Sequence, residues 1–244
     1  MKNKNLDKQI ADAIAVFWRT RDNQQARGGG DGTQAYAGSR GAVVGGGHLD
    51  GFLSVVRGLL EGSGISADSI HLRKSKTILP GFFRATKCWD LVVVHKKTLV
   101  AIMEFKSQVG SFGNNFNNRI EESLGNATDI LTAYREGAFA PSPAPWMGYV
   151  MLLEDCPGSR SPVTVDEPHF PAFKEYAGAS YARRYELFCQ KLVRERLYSA
   201  AAFILTPRPA NATTVTYTEP SDELSFSRFY SSLEAHATSI VKSC

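Results

Sequence analysis

The sequence is poor in cysteine, and the few it has are not paired by spacing. Cys88, Cys156, Cys189 and Cys244 stand far apart, with no C-x-x-C. That excludes a zinc ribbon and argues against a disulfide scaffold, so a reducing, cytoplasmic setting is expected. Histidine is sparse too: His48, His71, His95, His169 and His236 give no zinc-ligand spacing. No apolar run reaches the roughly 18 residues that signal a membrane span, so no membrane association is expected. The polar start, Met1 to Lys8, has no apolar stretch of the kind a signal peptide carries. There is no G-x-x-x-x-G-K-[ST] phosphate loop. Ser159 and Ser161 lie in no nucleophile elbow. Gly30-x-Gly32-x-x-Ala35 is a loose dinucleotide pattern, but no strand precedes it.

What is present is globular. The chain has 244 residues, 43% apolar and 21% charged, enough for one domain with its own core. Its net charge is only +4, but the charge is uneven. Residues 71–106 hold eight basic side chains (Arg73, Lys74, Lys76, Arg84, Lys87, Lys96, Lys97, Lys106) against Asp90 and Glu104. A basic middle with two isolated acids suits a polyanionic partner, although a solvated surface would look the same.

Apolar spacing predicts helices over 6–19, 49–60, 118–136, 181–198 and 223–241. Nine glycines between 28 and 47 predict a loop. Residues 88–95, 98–105, 148–153 and 201–205 read as strands, with a strand start at 70–72 and a turn at Pro80-Gly81. Their near-continuous apolar character predicts a sheet covered on both faces. The mixed order of elements favours an α/β or α+β fold.

Three charges interrupt two of these strands: Asp90, Glu104 and Lys106. Glu104 and Lys106 are two apart and share a strand face. If strands 88–95 and 98–105 form a hairpin whose paired numbers sum to 194, Asp90 lies opposite Glu104. A sum of 193 would put the two acids on opposite faces, so the turn, or a bulge, decides. Converging carboxylates at the centre of a sheet repel each other and resist burial, and a divalent cation relieves both costs. Such an ion can bind a phosphodiester and acidify a water, with a lysine beside it to orient that water. Acid-x-Lys is a cheap string, and a plain ion pair at a strand end is the alternative.

After the lysine comes Ser111-Phe112-Gly113-Asn114-Asn115-Phe116-Asn117-Asn118-Arg119. Asn and Arg side chains read base edges and bind phosphates. The same string could be a polar turn that caps the following helix through Asn117 or Asn118. Asp50 follows Gly45-Gly46-Gly47 and is either a further site acid or a helix N-terminal acid. Arg84 and Lys87 could hold phosphates or lie on the surface.

These residues resemble a known family. Leu79-Pro80-Gly81-x-x-Arg84-x-Thr86-Lys87-x-Trp89-Asp90, Glu104-x-Lys106-Ser107 and the Ser111–Arg119 string are similar to the XhoI family of type II restriction endonucleases. So are Gly45-Gly46-x-x-x-Asp50-Gly51-Phe52, Glu154-Asp155-Cys156, Pro168-His169-Phe170-Pro171 and Gly178-Ala179-Ser180-Tyr181. The resemblance spans roughly residues 45–190. It implies a PD-(D/E)xK nuclease: an α/β, restriction-endonuclease-like core with a central mixed sheet flanked by helices. One nuclease domain over 1–244 would hold a catalytic core at 45–190 and the Gly-rich loop at 28–47. The resemblance further implies a Mg²⁺-dependent homodimer cutting palindromic duplex DNA at 5′-CTCGAG-3′ after the first C. Asp90, Glu104 and Lys106 would be catalytic, with Asp90, Glu104 and the Phe105 carbonyl on the metal and Asp50 as a supporting acid. Arg84, Lys87, Asn114, Asn115, Asn117, Asn118 and Arg119 would contact DNA. Trp89 stands where the superfamily motif has proline. A non-specific repair nuclease and a catalytically dead DNA-binding protein remain the rival readings.

Overall fold

The computed structural model describes residues 4–27, 47–72, 74–210 and 215–243. All but one residue of the Gly-rich 28–47 stretch lie outside the described residues.

The first helix, α1 (Lys4–Arg27), runs well past the predicted 6–19. Leu6, Ile10, Ala13, Ile14, Phe17 and Trp18 form its buried stripe. Helix α2 (Asp50–Gly62) buries Phe52, Val56, Leu59 and Leu60. A two-residue strand β1 (Ile70–His71) follows, then a hairpin of β2 (Ile78–Pro80) and β3 (Thr86–Cys88). Next come β4 (Leu91–His95), β5 (Thr98–Gln108), helix α3 (Phe112–Arg135) and β6 (Trp146–Glu154). A single helical turn, α4 (Pro157–Arg160), precedes α5 (Tyr181–Arg194), β7 (Ala200–Thr206) and α6 (Phe226–Ser243).

The main sheet has the order β1-β4-β5-β6-β7. Its β1, β4 and β5 are antiparallel, while β5, β6 and β7 run parallel. Side chains alternate across it, as strand geometry requires. Met103, Phe105, Val150, Leu152, Ala202 and Ile204 face α1, α2 and α6. Ile102, Tyr149, Met151, Phe203 and Leu205 face α3 and α5. Burial on both faces explains why the strands read as apolar runs. The architecture is therefore α/β, a mixed five-stranded sheet flanked by helices, as the resemblance implies.

Other boundaries depart from the expectation in ways that matter for the site. Residues 88–95 are not one strand. The chain leaves the β2–β3 hairpin at Cys88, donates the Trp89 N–H to the Thr77 carbonyl at 2.9 Å, and enters the main sheet at Leu91. Helix α3 starts at Phe112 rather than near 118, so Asn117 and Asn118 do not cap it. Gly110 and Ser111, at φ 63° and 45°, turn the chain in the left-handed region and launch the helix at once. Helix α5 ends at Arg194, four residues short of the expected end. Its start is capped by Ser180, whose Oγ accepts the Arg183 N–H.

Helices α1 and α2 meet backbone to backbone at Gly51, where a Cβ would lie 2.7 Å from the Ala13 Cα. Around Gly58, in the same helix, a Cβ would meet nothing within 4 Å. Gly51→Ala should therefore force the helices apart and cost about 2 kcal/mol. Gly58→Ala should stabilise by about 0.5–1 kcal/mol, because alanine is the better helix former. Thermal unfolding of both variants checks the contrast, and equal or reversed shifts would contradict this packing.

Candidate active site

The site begins with a turn. Lys96 and Lys97 both take positive φ, 47° and 67°, and close a two-residue hairpin between His95 and Thr98. Both central residues of a type I′ turn need this conformation, and its twist matches that of the strands. Near the turn, pairs such as His95↔Thr98 and Val94↔Leu99 sum to 193. Between Val93 and Val94 the register shifts, leaving Val100 as an extra residue on β5. From there, Val93↔Ala101, Val92↔Ile102 and Leu91↔Met103 sum to 194. One step further brings Asp90 level with Glu104. The bulge thus selects the register that lets the two acids converge.

Asp90 lies just before β4, where the ladder has ended. Its carboxylate replaces the missing strand partner: Oδ2 accepts the Phe105 N–H at 2.8 Å. The N–H and C=O of one strand residue project to the same edge, so the Phe105 carbonyl faces this open end as well. Burial pushes the Asp90 pKa up, the Phe105 N–H and Lys106 pull against it, and the nearby Glu104 charge adds to the rise.

Glu104 is only 1% exposed. Its Oε1 accepts from Lys87 Nζ at 2.7 Å and Asn126 Nδ2 at 2.8 Å, and its Oε2 accepts from Tyr198 Oη at 2.9 Å. Lys106 Nζ stands 3.8 Å from Oε1, on the same face of β5, and 3.4 Å from Glu122. Burial on its own would raise the Glu104 pKa. Lys106, Lys87 and the hydrogen bonds from Lys87 and Tyr198 outweigh burial and hold it below the usual carboxylate range.

A cleft of about 570 Å³ opens over this end of the sheet. Asp50, Trp89, Asp90, Phe105, Lys106 and Arg119 line it. Asp50 is the first residue of α2, so it sits at a helix N-terminus and on the cleft wall at once. His48 stands beside it with a pKa lowered to about 4, by burial and then by Arg21 and Arg119. The donor chemistry suits a hard cation: two carboxylates and a backbone carbonyl, with the remaining positions left to water or substrate oxygens. Among the described residues no group of three or more His, Cys, Asp or Glu gathers as a metal cluster. Mg²⁺ at phosphate sites is held by one or two carboxylates with water and substrate oxygens in the remaining positions.

The basic and amide residues separate into two groups. Arg119 reaches the cleft, with Nη1 3.1 Å from Glu122. Asn114, Asn117 and Asn118 are exposed on the first turns of α3, and Asn115 is half-buried. Two of these amides serve the helix itself: Asn115 Nδ2 donates to Ser111 O at 3.1 Å and Asn118 Nδ2 to Asn114 O at 3.4 Å. Arg84 is tied to Asp129, Nε to Oδ2 at 2.9 Å, and Lys87 to Glu104.

Sequence reasoning missed Asn126, Asp129 and Tyr198. Asp129 is 2% exposed and also accepts the N–H groups of Phe82 and Phe83, which fixes the β2–β3 turn onto α3. The available signal was two polar residues, Asn126 and Asp129, on the stripe with Ala127 and Ile130. A polar side chain on a buried stripe needs partners. Tyr198 follows α5 and carried no such signal. Glu154 and Asp155, from the family-like string Glu154-Asp155-Cys156, hold structure: Glu154 accepts the Gly110 N–H at 3.0 Å, and Asp155 pairs with Arg160 at 2.6 Å.

Comparison with known proteins places this geometry. The family described as Restriction endonuclease XhoI matches residues 24–219. The type II restriction enzyme BstVI of Geobacillus stearothermophilus is 51% identical over 205 residues, covering 82% of this chain and 91% of its own. The type II restriction enzyme XhoI of Xanthomonas vasicola is 39% identical over 211 residues, 85% of this chain and 84% of its own. The type II restriction enzyme AbrI of Azospirillum brasilense is 42% identical over 171 residues, 68% and 74% of the two chains. No solved structure matches the chain. With most of its length matched by the family and by these relatives, the chain belongs to the XhoI family of restriction endonucleases and is a type II, site-specific deoxyribonuclease.

Proposed function

We propose that the protein is a Mg²⁺-dependent homodimer that cleaves palindromic duplex DNA, with 5′-CTCGAG-3′ cut after the first C as its site. The carrying observation is that the Val100 bulge brings Asp90 level with Glu104 beside Lys106, with Asp90 and Lys106 on the cleft wall and Glu104 buried next to them. The site sequence rests on the likeness to XhoI of Xanthomonas vasicola. A palindrome suits a two-fold pair of protomers, each presenting one cleft to one strand. The lack of any C-x-x-C among four scattered cysteines supports a cytoplasmic setting. Among the described residues no helix is long and apolar enough to cross a membrane.

In this reading Asp90, Glu104 and the Phe105 carbonyl would hold the ion. When bound, Mg²⁺ supplies charge stabilisation to the phosphodiester and acidifies the attacking water. The chain's own residues do the rest. Lys106 holds the water by hydrogen bonding and offsets negative charge that builds on the phosphate. Asp50, across the cleft, is a supporting acid. Arg119 and Asn114, Asn115, Asn117 and Asn118 on α3 contact the duplex, with Arg84 and Lys87 at its flank. The bonds that tie Asn115 and Asn118 to the helix backbone hold their amides in fixed orientations. Fixed orientation favours bidentate contact with a base edge over loose phosphate contact.

Glu104→Gln keeps the shape of the side chain and an acceptor oxygen for Asn126 but removes the charge. Lys106→Ala removes the ammonium. Each should lower cleavage by at least about a thousandfold, while far-UV circular dichroism shows a retained fold. Normal turnover in either folded variant would remove that residue from the catalytic set. For specificity, the purified protein should be incubated with a fully sequenced genomic DNA in Mg²⁺ and in EDTA. Discrete bands in Mg²⁺ alone, with ends mapping to C^TCGAG, are expected. A smear would favour a non-specific nuclease, and ends at another sequence would reject the proposed site.

A further inference from the structure

A cation ligand needs a free lone pair, and on Glu104 the Oε1 oxygen already accepts from Lys87 and Asn126, while Oε2 turns inward to the buried Tyr198. Two of the three donors are deep in the fold: Asn126 is 5% exposed on α3 and Tyr198 is 2% exposed before β7. The third, Lys87, is different. It comes from the β2–β3 hairpin, outside the main sheet, and its side chain keeps 13% exposure. Its Nζ makes the shortest of the contacts to Glu104, at 2.7 Å. It also lies 4.0 Å from the centre of the Trp89 ring, which lines the cleft, and 3.3 Å from the Cys88 carbonyl.

We propose that Lys87 is the resident cation of the ion-free site, a positioning residue that holds Glu104 in place and yields its seat to the divalent ion. This rests on the reading of Glu104 as a ligand of that ion. A buried carboxylate with no counter-charge is costly, so an ion-free site needs a cation of its own. Two ammonium groups already crowd Oε1, with Lys87 at 2.7 Å and Lys106 at 3.8 Å. A dication cannot join both on the same oxygen, because like charges at such distances repel strongly. Lys106 has Glu122 as a second partner and stands further off. Lys87 occupies the Oε1 lone pair that the ion would need, so it is the donor that would leave. Asn126 and Tyr198 remain and keep the carboxylate oriented through the exchange. Leaving Glu104 frees the Lys87 ammonium for the duplex contact proposed above.

The exchange has a built-in reporter, since a cation on an indole face alters its emission and Lys87 sits on Trp89. The test uses the full-length protein without DNA, so that no turnover intervenes. Mg²⁺ is followed by tryptophan fluorescence, and Mn²⁺ affinity by the electron paramagnetic resonance of the free ion. In the wild type, Mg²⁺ should change an emission component that is missing in Trp89→Phe. Lys87→Met should bind Mn²⁺ at least about tenfold more tightly, the scale of one charged hydrogen bond, and lose the Trp89 response. Lys87→Gln should tighten binding in the same way, and a misfolded variant could not mimic a gain in affinity. Unchanged or weaker Mn²⁺ binding in both Lys87 variants would overturn the inference. Glu104→Gln separates the two claims. If it binds Mn²⁺ as well as the wild type does, the ligand assignment fails. If it abolishes binding while the Lys87 variants show no gain, only the exchange fails.

Discussion

One extra residue, Val100, sets the geometry on which the rest of the site depends. The Lys96-Lys97 turn starts the hairpin in a register that would place Asp90 and Glu104 on opposite faces. The bulge moves β5 by one position and brings them level. Beyond the bulge the same register puts Met103 and Phe105 into one core and Ile102 into the other. The packing of both faces therefore holds the acids in position, and a slip would carry Glu104 away from Lys87, Asn126 and Tyr198 into the apolar core on the other face. The hydrogen bond from the Phe105 N–H to Asp90 completes the arrangement where strand pairing stops.

The acids are stabilised unequally. Glu104 is enclosed and kept ionised by ammonium groups and hydrogen bonds, whereas Asp90 keeps solvent contact and a raised pKa. One carboxylate is a fixed, charged wall, and the other gains most from an arriving cation. The helices on that face supply the wall's fittings. Helix α3 carries Asn126 to Glu104 and Asp129 to the β2–β3 turn, while its first turns present the asparagines to solvent. One helix thus joins the surface proposed for DNA to the residues that hold Glu104.

Much of this was legible in the sequence, for physical reasons that can be named. Apolar runs free of polar residues reported a sheet covered on both sides. The charges that broke those runs, at 90, 104 and 106, are the ones the structure brings together. The bulge was not legible, because Val100 is as apolar as its neighbours and no residue type marks the extra position. The split of 88–95 into two strands was hidden for a similar reason, since Trp89 is buried like a strand residue although its N–H bonds to Thr77. The Asn-rich string looked like a loop because asparagine favours turns. Its amides instead bond back one helical turn, which lets a weak helix former continue a helix.

The central proposal is that Asp90, on the cleft wall, and Glu104, buried beside it, hold one cation between them. Anomalous diffraction from crystals of the protein with Mn²⁺ and a cognate duplex tests it most directly. The account predicts a manganese peak in direct contact with carboxylate oxygens of both Asp90 and Glu104 and with the Phe105 carbonyl. A peak bound elsewhere, or one that touches Asp90 while Glu104 stays enclosed by its present partners, would contradict it.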